Sequence, residues 1–369
     1  MTRRADIAVI GAGMAGASLA AELALHVSVL LIEAEEQPGY HSTGRSAAFW
    51  SESYGGPLIQ PLTSASRPFL ADPPERFADG SFLKPRGAVH IAAADGQAAL
   101  EELARAFAGA EPRLEPMDGA ALAAAIPGLR EGWEFGLWEG SCADIDVAAL
   151  HGAYIKAARR HDVEVVCGAR TERIDGGRIE TNKGRFEAAV IVNAAGAWAD
   201  EVAAMAGVAS LGIQPYRRTI VQLRTDPPAP ADLPLVVDVL GRFYFKPEAG
   251  GRLWLSPHDE TVSDPCDCAP EEYDVALAIE RLEQVVDWRI QRVEHSWAGL
   301  RSFAPDRLPV YGFAPGREDY FWFAGQGGFG IQTAPAAAKL GAALLLGTSP
   351  DPLVAGIDPA PYLAERLAN

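Results

Sequence analysis

The sequence predicts a mixed α/β (α+β) protein of about two domains that binds a ligand through its backbone turns, on three observations. Short apolar runs rich in branched residues alternate with alanine-rich helical stretches along the chain. A glycine turn joins the first such strand to the first helix. Small-residue and glycine turns recur near the middle and near the C-terminus, where a backbone has to approach something closely.

Taken in order, Asp6–Ile10 reads as a strand, Gly11–Gly16 as its turn, the alanine-rich stretch to Leu25 as a helix, and Val27–Ile32 as a second strand ending in Glu33. Helices are expected at Gly96–Phe107, Ala120–Ala125 and Asp146–Arg160. Strands are expected at Val163–Val166, Ala188–Val192, Thr219–Leu223, Phe243–Phe245, Leu253–Leu255 and Tyr320–Phe323. Pro247-Glu248-Ala249-Gly250-Gly251 between two of these marks a hairpin with a loop longer than the tightest two-residue type. There is no internal repeat and no low-complexity tract.

The 369 residues are 49% apolar and 22% charged, which excludes collagen-like, coiled-coil, disulfide-scaffold and disordered chains and leaves a soluble protein of about two domains. A net charge of −17 argues against nucleic acid or an anionic membrane face as partner. The 4 cysteines do not form a disulfide framework, and Cys266-Asp267-Cys268 lacks a second ligand pair for a closed zinc site, so no metal is expected. The longest late apolar run, Leu340–Leu346, falls far short of the roughly 20 residues that span a bilayer. With no secretory core at the start, a cytoplasmic location is expected, with peripheral attachment to an inner membrane left open.

Gly11, Gly13 and Gly16 have GxGxxG spacing, and Glu33 follows about 20 residues on, at the end of the second strand. The first glycine permits the tight turn and the second lets the backbone approach a pyrophosphate. The third allows strand and helix to pack closely, and the acid takes ribose hydroxyls. A dinucleotide is expected, either NAD or FAD. Downstream, the Gly/Ser/Thr/Arg run from Gly39 to Ala48 offers backbone amides to a second phosphate and an isoalloxazine. Asn193-Ala194-Ala195-Gly196-Ala197-Trp198 ends a strand in small residues, and Gly325–Thr333 opens an apolar helix with a glycine turn suited to an anionic or carbonyl group.

GAGMAG with Glu33, NAAGAWA and GQGGFGIQT, in that order over nearly the whole chain, resemble the flavin-dependent D-amino-acid oxidase superfamily. PGYHSTGRSAA, Cys142–Asp146 and the Trp297–Phe303 segment look most like its bacterial D-arginine dehydrogenase branch. The resemblance implies a Rossmann-like FAD-binding domain (1–85, 145–215 and 295–369) interleaved with a β-sheet substrate domain (86–144 and 216–294). It places the pyrophosphate on Gly11, Gly13, Met14, Ala15 and Gly16, the adenosine ribose on Glu33 and Ala34, and the flavin and second phosphate on Ser42, Thr43, Gly44, Arg45, Ser46, Ala47 and Ala48. Thr171 would contact adenine, Ala195, Gly196 and Trp198 would continue that wall, and Gly327, Gly328, Gly330, Ile331, Gln332 and Thr333 would face the flavin pyrimidine, with Arg301 nearby. The family positions that tether flavin hold no Cys or His here, so noncovalent FAD is expected.

By the same resemblance, Arg301 and Arg218 would clamp an amino-acid carboxylate, framed by Tyr54 and Tyr244, while Gly328 and Gln332 would touch the substrate amine or the flavin edge. Arg217 and Arg218 are adjacent on a strand and face opposite ways, so one of them is left to solvent; the family register selects Arg218 as the ligand. Tyr244, between two phenylalanines, also reads as core. The implied reaction is oxidative deamination of a free D-amino acid by hydride transfer to flavin N5, with quinone, dye or oxygen as electron acceptor. Oxidation of an N-substituted amino acid or a 2-hydroxy acid is the alternative. Ala88 and Phe49 stand where the D-arginine enzymes carry a glutamate and a histidine, which predicts a neutral or apolar side chain rather than D-Arg. His90 shares the strand face of Ala88, and its entry into the pocket would admit a polar or acidic side chain.

Overall fold

A computed structural model describes residues 2–367. The branched run after the N-terminus forms a strand, Arg3–Ile10, whose last four residues are buried because it lies at the centre of an 8-stranded sheet. Val29–Ile32 and Glu164–Val166 follow in parallel on one side, and Gly184–Asn193 runs parallel on the other. Gly184–Asn193 is shared lengthwise: its first half pairs antiparallel with Arg178–Thr181, and its end pairs parallel with Tyr320–Ala324. Such parallel strands, covered on both faces, explain the uninterrupted apolar runs in the sequence.

The helices Met14–Leu23, Val147–Arg160 and Ala334–Leu346 pack together over one face of this sheet. Their alanine content lets them lie close. A Cβ at Gly341 would come within 2.7 Å of the Phe323 ring, and one at Gly16 would sit 1.8 Å from the Gly11 carbonyl oxygen. Asp146 caps the second helix by accepting from Ala149 N. Ala199–Met205 covers the opposite face.

The second sheet has 9 strands, mostly antiparallel. Its long pair, Gln214–Asp226 and Arg289–Phe303, stays in register from Gln214↔Phe303 to Asp226↔Arg289 with two irregularities. That strand runs unbroken through residue 295, where the sequence places a domain boundary, because its partner continues to pair with it as far as Phe303. The expected hairpin is present, with Tyr244–Glu248 antiparallel to Arg252–Ser256 across a short glycine turn. The helix Glu272–Glu283 closes one face of this sheet over an apolar cluster of its own. A small three-stranded sheet, Phe49–Trp50, Ala143–Ile145 and Leu83–Pro85, joins the two halves. Among the described residues no helix is long and apolar enough to cross a membrane.

Candidate active site

Between the two large sheets lies a cavity of about 310 Å³, lined at one end by the first glycine turn and at the other by Arg218, Tyr244 and Arg301. Gly11 adopts φ 101°, and a Cβ there would fall 2.5 Å from the Ala194 carbonyl oxygen, so the two small-residue turns predicted by the sequence meet here. The helix beginning at Met14 has no side-chain cap; the Met14 amide donates to Thr43 Oγ1 at 2.9 Å. Its other first-turn amides and its dipole are left for an anion. Glu33 is buried, with Oε2 accepting from Ala12 N at 2.7 Å and Oε1 from Glu35 N at 2.9 Å, which fixes the carboxylate at the cavity wall. Opposite, Gly196 has open space where a side chain would stand. An uncapped helix end, a fixed carboxylate and a wall of small residues fit a dinucleotide.

Of the residues expected to hold it, Gly13, Met14, Ala15, Ala34, Ser42, Thr43, Arg45, Ser46, Ala47, Thr171, Ala195 and Trp198 line the same cavity, as do Gly327, Gly328, Gly330 and Ile331. The Arg45 guanidinium turns outward to the Cys268 and Ala298 carbonyls and to Asp267, so it ties a distant loop over the site. Gly16, Gly44, Ala48, Gln332 and Thr333 are not part of the lining. Gly16 and Gly44 are packing glycines, since a Cβ at Gly44 would lie 2.9 Å from the Gly39 carbonyl oxygen.

Sheet register builds the other end. Tyr216 pairs with Arg301 and Arg218 with Gly299, which places both arginines on one face as diagonal neighbours. Arg301 donates to Tyr54 Oη at 2.6 Å. Arg218 is buried; its Nε donates to the Asp259 carbonyl at 2.6 Å and one terminal nitrogen to Glu260 at 3.1 Å, while the other terminal nitrogen has no partner. The Tyr244 hydroxyl, also buried, has none either. Burial and the neighbouring Arg301 push the Arg218 guanidinium below its usual value. Arg301, despite its own burial, is held above the usual value by Tyr54 and Tyr244. Two guanidiniums and an unpaired phenol facing one cavity offer the kind of donors that a carboxylate requires. Gly328 closes against this pair: a Cβ there would stand 2.7 Å from Tyr54 Oη and 3.1 Å from an Arg301 terminal nitrogen. Arg217, on the opposite face as expected, is ion-paired with Glu271 and Asp274 rather than free in solvent.

Several expected residues are turned elsewhere. Gln332 is buried and fully engaged, donating to Tyr54 O at 3.2 Å and Thr63 Oγ1 at 2.9 Å and accepting from Ser51 N at 3.2 Å. It therefore braces the segment carrying Tyr54 and does not reach the cavity. His90 points to Ser53 Oγ at 3.1 Å and Glu139 at 3.3 Å, away from the cavity, because a buried carboxylate there needs a donor. Phe49 packs edge-on against Tyr54 and Tyr244, and Ala88 lies buried in the same cluster, so both shape the site from behind these rings.

The sequence reading missed His258, Glu260, Arg307 and Phe329, which with Tyr54 line a second cavity of about 380 Å³. Phe329 was legible, inside the C-terminal glycine motif; the others carry no local signal, His258 and Glu260 being brought in by the loop after Arg252–Ser256 and Arg307 by the turn after Arg289–Phe303. The His258 imidazole, desolvated and facing Arg218 and Arg301, is pushed down to about 2 and is neutral.

A family model described as FAD dependent oxidoreductase matches residues 6–344. The chain is 28% identical over 373 residues to a glycine oxidase from Pseudomonas aeruginosa, covering 96% of this chain and 97% of that one. Among solved structures, glycine oxidase from Geobacillus kaustophilus superposes with a TM-score of 0.84 at 23% identity, over 98% of this chain and 99% of that one. L-proline dehydrogenase from P. horikoshii superposes with a TM-score of 0.82 at 20% identity, over 96% of each chain.

Proposed function

Because the chain belongs to the FAD dependent oxidoreductase family, we propose that it oxidises the CH–NH2 group of a free amino acid, of D configuration and with a neutral or apolar side chain, to the imino acid and hence the 2-oxo acid. The observation that carries this reading is the convergence of Arg218, with one unpaired terminal nitrogen, Arg301 and the unpaired Tyr244 hydroxyl on one cavity. The glycine oxidase similarity supports an amino acid with little or no side chain. FAD, when bound, supplies the acceptor for the hydride leaving the α-carbon.

The chain's own residues bind and orient. Gly11, Met14, Thr43 and Glu33 hold the nucleotide end, and the same cavity brings it within reach of the clamp. Arg301 and Arg218 neutralise the substrate carboxylate with planar hydrogen bonds, and Tyr54 keeps Arg301 in place. Beside Ala88 the one carboxylate across the strand pair, Glu139, is saturated by Ser51, Glu52 N, Ser53 and His90. It therefore offers a D-Arg guanidinium no pairing at that wall, which supports the neutral preference.

The test is a steady-state screen of D- and L-amino acids with a dye acceptor, with product analysis for ammonia, primary amine or ketone. Turnover of neutral D-amino acids with release of ammonia is expected. Efficient use of D-Arg without preference for neutral substrates overturns the side-chain assignment, and release of a primary amine, or of a 2-oxo acid without ammonia, overturns deamination. Arg301→Met is expected to abolish turnover while leaving the bound-flavin spectrum; surviving turnover removes Arg301 from the clamp.

A further inference from the structure

The clamp already contains one carboxylate of the protein's own. Glu260 Oε1 accepts from a terminal nitrogen of Arg218 at 3.1 Å and from Arg307 at 2.7 Å, and Arg307 also reaches Glu260 Oε2 at 2.9 Å. Arg307 is held in this pose from two sides. Its guanidinium carbon lies 4.0 Å from the centre of the Phe303 ring, and its backbone sits at φ 65°, a conformation arginine rarely adopts. Such backbone persists where surrounding contacts over-determine it, and it concentrates at functional sites. Glu260 and Arg307 line the second cavity beside Tyr54, so this ion pair stands where the two cavities approach each other. Arg218 is thereby reduced to a single free nitrogen, and the place on Arg218 that a second substrate carboxylate would take is filled.

We propose that Glu260 and Arg307 are positioning residues that make the site selective for monocarboxylates: Glu260 occupies Arg218 as an internal carboxylate and repels a second acid group on the ligand, and Arg307 holds Glu260 there. This rests on the carboxylate-clamp reading of Arg218 and Arg301. The occupying charge discriminates by electrostatic exclusion, which acts on ligand choice without touching the reacting atoms. Removing that charge while keeping an acceptor oxygen exchanges one selectivity for another, an outcome that loss of packing does not produce.

The experiment titrates FAD-loaded enzyme with propionate and with succinate and follows the flavin absorption spectrum, so that no turnover is needed. Wild type is expected to bind propionate in preference to succinate. Glu260→Gln, at full flavin content, is expected to shift that preference toward succinate by about tenfold, the effect of removing one nearby charge. Arg307→Met, which leaves Glu260 paired with Arg218 alone and its charge no longer offset by Arg307, is expected to weaken both ligands severalfold, and Arg307→Lys to restore them. An unchanged propionate-to-succinate preference in Glu260→Gln, with propionate still bound, overturns the proposal and leaves the clamp standing. If propionate does not perturb wild type at all, the clamp reading itself fails and the proposal with it.

Discussion

His258 shows how much a single side chain depends on its surroundings. Its Nδ1 lies 2.7 Å from the Gly241 carbonyl and its ring 5.7 Å from that of Tyr244, with two guanidiniums nearby, so protonation is opposed by burial first and by Arg218 and Arg301 next. A histidine pushed down to about 2 in the folded state binds a proton more readily when unfolded, where its value is about 6.5. Between these values the unfolded chain carries the extra proton, so stability is full above about pH 6.5 and falls as pH drops below it. His258→Gln is therefore expected to flatten the dependence of Tm on pH between about pH 5 and pH 7. An unchanged slope in the variant would place the pH sensitivity elsewhere. Nothing in Ser256-Pro257-His258-Asp259-Glu260 announces this role, since it is created by burial in the tertiary fold and then by residues about 40 positions away in the sequence, Arg218 and Arg301.

At the scale of elements, two devices place Arg218, Arg301 and Tyr54. The paired strands Gln214–Asp226 and Arg289–Phe303 bring the arginines to one face, and Gly299, opposite Arg218, leaves room for Arg45: a Cβ there would lie 3.3 Å from Arg45 Cβ. The segment Ser51–Tyr54 has no regular structure of its own and is held by side chains. Glu139 accepts from Ser51 Oγ at 3.0 Å and Glu52 N at 2.7 Å, as well as from Ser53 and His90, and Gln332 grips Tyr54 O. These donors, led by His90, hold the Glu139 carboxyl below its usual value against the cost of burial. Glu139→Gln brings an amide nitrogen against groups that donate, and is expected to destabilise the fold by about 2–3 kcal/mol in denaturant titration. KM should rise more than kcat falls, because Tyr54 is loosened. Wild-type stability in this variant would mean that the carboxylate does not hold the segment.

At the scale of the whole molecule, the nucleotide cavity is walled by both large sheets and by segments from the start, middle and end of the chain. A ligand there touches every unit at once. Binding to the folded state alone stabilises it by about 2.7 kcal/mol at a free concentration one hundred times Kd. Removal of FAD is accordingly expected to lower Tm, and added FAD to raise it progressively. A Tm independent of FAD would contradict this cavity as its seat. The acidic exterior, net −17 for the chain, contrasts with the clamp, where Arg218 and Arg301 concentrate positive charge in the interior.

Local chemistry sufficed for the nucleotide half. The glycine turn, its flanking strands and Glu33 lie close in sequence, and Gly11 and Gly16 answer steric demands made by nearby backbone, so fold class and a bound dinucleotide could be read from the chain, while FAD rather than NAD came from the family resemblance. The alternation at Arg217 and Arg218 was legible for the same reason, because a strand has period two wherever it lies. Orientation at the substrate end depended on partners distant in sequence. Gln332 turned to Ser51 and Tyr54, His90 to Glu139, and Glu260 with Arg307 arrived beside Arg218. The sequence by itself determined which backbone could approach a dinucleotide; only the tertiary structure decided which polar side chains were left unpaired to meet a substrate, because a hydrogen-bond partner across two sheets is set by packing and not by spacing along the chain.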